Sequence, residues 1–158
     1  MRLAFITLLI AISFTGWAQE LNFSLRDLEN RERTFAGLKG ENLTIIDFWA
    51  TWCRPCLRAI PELNAIYDHY RDRGVNVIGI NCDGPRSASK VIPLSRSLQI
   101  SYPVLRDMDA SVMKRLNLSA FPTLVLAGSN GEILWIHEGF VAGDEEVIKE
   151  QIEKHLAR

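Results

Sequence analysis

The sequence is poor in cysteine and histidine, the usual ligands of zinc. Among 158 residues there are three cysteines and three histidines, and the histidines, His69, His137 and His155, are scattered. A tetrahedral zinc needs four ligands, usually supplied as two close pairs, and beyond Cys53 and Cys56 there is no second pair. No metal is expected. An excess of one charge is also missing: 18 Lys and Arg stand against 19 Asp and Glu, which gives no electrostatic footprint for nucleic acid. Nor is there an apolar run of the roughly 20 residues that a membrane-spanning helix needs. The run from Leu3 to Phe14 falls short of that.

That run instead has the features of a secretory leader. Arg2 precedes it, and Gly16 and Ala18 are small residues ahead of Gln19, the pattern of a signal peptide. Residues 1–18 are therefore expected to be a signal peptide cleaved after Ala18, with an uncleaved anchor as the alternative because Trp17 suits a membrane interface. No cysteine follows the run, so a lipid anchor is not expected. Residues 19–158 then form one globular domain of ordinary composition, 47% of the whole chain being hydrophobic and 23% charged, large enough for a single core. Without residues 1–18 the formal charge is −2, from 17 basic and 19 acidic residues. Export would place the chain in a periplasmic or otherwise extracytoplasmic, oxidising compartment.

The stretch 45–56, IIDFWATWCRPC, organises the rest. A buried β-branched strand that ends in a short turn delivers Cys53 to the start of a helix, where unpartnered N–H groups and the helix dipole favour a thiolate. Arg54 adds positive charge, and Pro55 lacks an N–H that the first turn could not use. Cys53 is the candidate nucleophile. Cys56, about one turn on, is placed to resolve a mixed disulfide. A purely structural bridge is the plainer alternative, but one this short closes almost no loop and constrains the unfolded chain least.

These residues resemble the active-site motif of the thioredoxin fold, with Trp52 before the first cysteine and Pro55 before the second. Asp47 stands where thioredoxins carry a buried aspartate, Pro61 where they kink the active-site helix, and Phe121-Pro122-Thr123 where they place a cis-proline. The segments NFSLRDLEN, LKGENLTIIDFWATWC, VNVIGINCDG and NGEILWIHEGFVAGDEE extend the likeness to the TlpA/ResA/CcmG-like extracytoplasmic thiol-disulfide oxidoreductases. The resemblance implies an α/β thioredoxin-like fold, a central mixed β-sheet flanked by helices on both faces. It also implies a redox-active Cys53-Cys56 disulfide with no other cofactor, and Trp52, Arg54, Pro55, Phe121 and Pro122 as the substrate-contacting surface. The implied partners are disulfide-bearing proteins, apocytochrome c among them, and a membrane electron donor, with the chain acting as a monomer.

An acid inside a buried strand is costly unless paired or employed. Asp47 is expected to have a raised pKa and to accept the proton of Cys56 during resolution; a backbone-bonded aspartate at the strand edge is the alternative. Where thioredoxins carry a lysine near this aspartate, Gly79 stands here. Cys82, the odd thiol, is expected to be a small packing residue, with a regulatory disulfide partner as the alternative.

Periodicity supplies the remaining expectations: a strand at 21–27, a charged loop at 29–34, and strands at 43–49 and 75–81. An amphipathic helix is expected over 56–71, with an irregular one at 85–98 interrupted by Pro93. A strand at 101–105 leads to a helix at 107–116 capped by Asp107 or Asp109. An Asn130-Gly131 hairpin follows, Gly139 and Phe140 are expected beside the active site, and a final helix is expected to be capped by Asp144, burying Val147, Ile148, Ile152 and Leu156. Two other activities use the same cysteines, disulfide oxidation and isomerisation. A redox-inert peptide-binding module is the reading from another class. A thiol peroxidase lacks its threonine three residues before the cysteine, where Ala50 stands.

Overall fold

Residues 43–49 are apolar but for Thr44 and Asp47, and they form β3, Leu43–Trp49, with all seven residues buried. The computed structural model describes residues 21–157, so the expected signal peptide lies outside the described residues. β3 pairs in parallel with β4, Val75–Asn81, and antiparallel with β6, Thr123–Gly128. A strand covered on both faces reads as a continuous apolar run.

The sheet continues outwards on each side. Beyond β4 lie β5, Val104–Arg106, then β1, Ser24–Asp27, and β2, Glu32–Thr34; beyond β6 lies β7, Ile133–Glu138. The order is β2-β1-β5-β4-β3-β6-β7, a mixed seven-stranded sheet. The hairpin β6–β7 turns at Asn130-Gly131, where Gly131 takes φ 86°, and a register shift sits between Leu126 and Ala127. Positive φ is what an Asn-Gly turn supplies.

Helices cover both faces. α2, Arg54–Tyr70, and α5, Asp144–Leu156, pack Ala59, Leu63, Ile66, Ile148 and Ile152 against Leu43, Ile45, Val77 and Leu124. On the opposite face α1, Phe35–Leu38, and α4, Ser111–Arg115, pack against Ile46, Phe48, Ile78 and Ile80. α3, Val91–Ser97, lies near the start of α2, where Val91 joins Trp49, Cys53, Cys56 and Ile60. The thioredoxin-like α/β architecture expected from the sequence is the one observed.

Several local expectations need correction. The charged segment 29–34 is not all loop: its end, Glu32-Arg33-Thr34, is edge strand β2, whose alternating exposure and charge suit an unpaired edge. Thr34 then caps α1, its Oγ1 accepting the Gly37 N–H at 3.2 Å. Pro93 does not interrupt α3, because it occupies the first turn, where a missing N–H costs no helical bond. α4 begins only at Ser111, after Ala110 at φ 52°, and Asp107 caps it by accepting the Ser111 and Val112 N–H groups at 2.9 and 3.0 Å. Asp144 is the first residue of α5 and Gly143 its cap; the carboxylate reaches back to the Val141 N–H and to His137 Nε2. On α5 Ile148 and Ile152 are buried, while Val147 faces outward.

Candidate active site

The strand β3 runs into residues 50–53, and this junction is tied down from β4. Cys82 donates its N–H to the Trp49 carbonyl at 2.9 Å, and Cys53 its own to the Ala50 carbonyl at 3.1 Å. Asp83, almost fully buried, accepts the Thr51 N–H with Oδ2 at 2.7 Å, the Thr51 hydroxyl with Oδ1 at 2.7 Å and the Asn81 side-chain amide at 2.8 Å. Burial works against its charge, but the hydrogen bonds from Ser87, Thr51 and Asn81 win and hold its pKa below the usual carboxylate value. Removing a buried acceptor strands its donors. Asp83→Ala is accordingly expected to destabilise the protein by about 2–3 kcal/mol, read from denaturant unfolding, with Asp83→Asn recovering part of the loss.

Held this way, Cys53 caps α2. Its φ and ψ are −86° and 99°, and Sγ accepts the Cys56 N–H at 3.2 Å. A donor aimed at the sulfur stabilises a thiolate once the bridge opens. Pro55 falls in the first turn, and α2 continues unbroken through Pro61. Cys53 and Cys56 are joined as a disulfide with Cα atoms 5.3 Å apart; Cys56 is fully buried and Cys53 5% exposed. The outer cysteine is the one that a partner reaches first.

Around this bridge the residues expected to contact substrate come together. Trp52 is 64% exposed and meets Phe121 edge to face, ring centroids 5.5 Å apart. Phe121 packs on the cluster that contains Cys53 and Cys56. The Phe121-Pro122 peptide bond is cis, and the Pro122 carbonyl accepts the Gly139 N–H at 2.7 Å. Arg54 is exposed on the first turn of α2. Gly139 takes φ 85° beside Pro122, yet a side chain there would meet nothing within 4 Å, so its conformation and not close approach is what calls for glycine. Phe140 does not pack beside the cysteines; it joins Ala59, Leu63 and Ile148 in the α2–α5 core.

Asp47 lies on the α2 side of β3, between Ile45 and Trp49 of the same face. It is fully buried, and neither carboxylate oxygen has a hydrogen-bond partner among the described residues. Burial pushes its pKa up to about 7 against the opposing pull of the nearby Tyr102 hydroxyl, which does not close a hydrogen bond. An acid that titrates near neutrality can take and release a proton. Cys82 points to the opposite face, half-buried against the α1–α4 core. Burial and then the charge of Asp107 raise its pKa far above the ordinary thiol value, so it stays a protonated packing residue. Among the described residues no group of three or more His, Cys, Asp or Glu could hold a metal, and no helix is long and apolar enough to cross a membrane.

Comparison with known proteins agrees with this geometry. A family model described as AhpC/TSA matches residues 18–136. The chain belongs to the AhpC/TSA family. Within it, the chain is similar to the thiol-disulfide oxidoreductase ResA of Geobacillus kaustophilus, 30% identical over 135 residues, 85% of this chain and 72% of that protein. A solved Chlorobium tepidum structure described as a thiol:disulfide interchange protein DsbE is 25% identical, with a TM-score of 0.80 over 87% of this chain and 94% of that one. StoA of Bacillus subtilis superposes with a TM-score of 0.68 at 25% identity, over 85% of this chain and 98% of that chain.

The sequence pointed to Cys53, Cys56, Asp47, Trp52, Arg54, Pro55, Phe121 and Pro122. The structure gathers Trp52, Phe121 and both cysteines into one neighbourhood, with Arg54 and Pro55 on the same helical turn. Sequence reasoning missed Asp83, Thr51 and Tyr102. Asp83 and Thr51 are 32 residues apart, and no local pattern links them.

Proposed function

We propose that this protein is an extracytoplasmic thiol-disulfide oxidoreductase that reduces disulfides in exported proteins through Cys53 and Cys56. The observation that carries the reading is the Cys53–Cys56 bridge at the capped start of α2, its outer cysteine beside the exposed Trp52 and Phe121. In the reduced protein the Cys53 thiolate attacks one sulfur of a substrate disulfide. The other sulfur leaves as a thiolate and takes a proton from solvent. Cys56 passes its thiol proton to the Asp47 carboxylate and attacks Cys53 Sγ, which breaks the bond to the substrate. Two electrons have then moved from the dithiol to the substrate, and the bridge is restored.

Trp52, Arg54, Pro55, Phe121 and Pro122 form the surface on which an extended peptide docks, with Phe121 backbone groups offered to it as to a neighbouring strand. The protein acts as a monomer, needs no cofactor beyond its own disulfide, and depends on a membrane electron donor for re-reduction in an oxidising compartment. The leader-like residues 1–18 support export, and the likeness to the TlpA/ResA/CcmG group supports apocytochrome c cysteines as a substrate. The reductive direction is taken from the likeness to the TlpA/ResA/CcmG group, and the potential of the pair, set by both thiol pKa values and the stability of the bridge, decides it.

The test is reduction of a protein disulfide by the pre-reduced protein in a single turnover. Transfer of two electrons per chain, abolished in Cys53→Ser, supports the proposal. Full biological function in Cys53→Ser would instead favour a redox-inert binding module. Ala50, buried three residues before Cys53, offers no hydroxyl for peroxide chemistry.

A further inference from the structure

Three buried polar groups around Gly79 have no hydrogen-bond partner among the described residues. They are the Asp47 carboxyl, the Trp49 indole Nε1 and the Tyr102 hydroxyl. Gly79 brings them together. It is the register partner of Asp47 on β4, and a Cβ built on it would lie 3.3 Å from Trp49 Nε1 and 3.2 Å from Tyr102 Cε2. The space that a side chain at 79 would fill is thus where the tyrosine ring enters. The Gly79 N–H bonds the Pro103 carbonyl at 2.9 Å, which fixes the segment carrying Tyr102 beside it, and Tyr67 meets the Tyr102 ring edge to face at 6.3 Å.

Other strands and helices give Asp47 little else to interact with. β4 presents Gly79 beside it and β6 presents Leu124, neither titratable. α2 contributes Cys56, titratable only when the bridge is open. Cys82 feels the Asp47 charge but lies on the other face of the sheet. That leaves Tyr102. Its own ionisation is pushed well above the ordinary range by burial and by the Asp47 charge, so it remains a neutral hydroxyl that can donate.

We propose that Tyr102 is a positioning residue for the resolving step, its hydroxyl donating to the ionised Asp47 carboxylate through the opening that Gly79 provides. This rests on the proton-accepting role given to Asp47 above. When Cys56 loses its thiol proton to Asp47, the carboxyl becomes neutral and the Tyr102 hydroxyl rotates from donor to acceptor. No proton leaves the tyrosine. Its effect is to keep enough of the buried Asp47 ionised at neutral pH to serve as acceptor.

The test is Tyr102→Phe, which keeps the ring and removes the oxygen. Asp47 is titrated in the oxidised protein by carbon-13 NMR of its carboxyl, a readout that needs no turnover. The expected result is an upward shift of about one unit, which is about a tenfold smaller carboxylate fraction below the midpoint. Resolution of a mixed disulfide at Cys53 should slow about tenfold at pH 6 by the same factor, and Tyr102→Phe should add nothing in an Asp47→Asn background. An unmoved NMR midpoint overturns the proposal. So does equal slowing in the Asp47→Asn background, which marks a packing defect. If the wild-type protein showed no exchange, the functional reading would fail while the NMR midpoint would still decide for or against Tyr102.

Discussion

Replacing Cys56 by serine is expected to arrest the reaction half-way, leaving the substrate attached to Cys53. The geometry requires this order. Cys56 is fully buried beneath Cys53, so the incoming disulfide meets the outer sulfur at the helix cap and only an intramolecular attack can release it. The Cys56→Ser protein should accumulate a mixed disulfide in one-to-one stoichiometry, visible as an added mass under non-reducing conditions and lost with dithiothreitol. Turnover should fall to the uncatalysed background in both Cys53→Ser and Cys56→Ser, because the two sulfurs act as a unit. Only the second should carry an adduct. An adduct on Cys56 in a Cys53→Ser protein would reverse the assigned roles.

The second large effect is on stability. Asp47 titrates near 7 in the folded protein because burial disfavours its charge, and near 3.9 when the chain is unfolded. The folded state therefore binds the proton more tightly. Its contribution is fully present below about pH 4 and is lost as the pH rises through about 7. Three pKa units correspond to about 4 kcal/mol. The unfolding free energy of the oxidised protein should fall by roughly that amount between pH 4 and pH 8, and Asp47→Asn should remove most of the slope. The variant should be more stable than the wild type at pH 8 and slower at resolution, a trade that a purely structural aspartate would not show. An unchanged slope in Asp47→Asn would mean that other groups carry the pH dependence.

The sequence was most legible where one local rule decided the outcome. β3 and β4 are unbroken apolar runs, α2 repeats its core residues at intervals of three and four, and Asn130-Gly131 admits one tight turn. The cysteines needed only their spacing and the strand before them. Short elements were hidden because tertiary pairing makes them: β2 is three polar residues held by β1, and α1 is a single capped turn. Pro93 misled because its position within the helix, not its presence, determines its effect. The surroundings of Asp47 were least legible. Gly79 was read as a missing lysine, but the consequence of its small size, access for a tyrosine 23 positions later, appears only when β4 and the segment before β5 lie side by side.

The most direct test of a reducing role is the reduction potential of the Cys53–Cys56 pair, measured by equilibrating the protein in dithiothreitol or glutathione buffers and trapping free thiols. For a dedicated reductant the expected value is near that of thioredoxin, about −270 mV. A value near about −120 mV would contradict a dedicated reductant and make the protein an oxidant of newly exported chains.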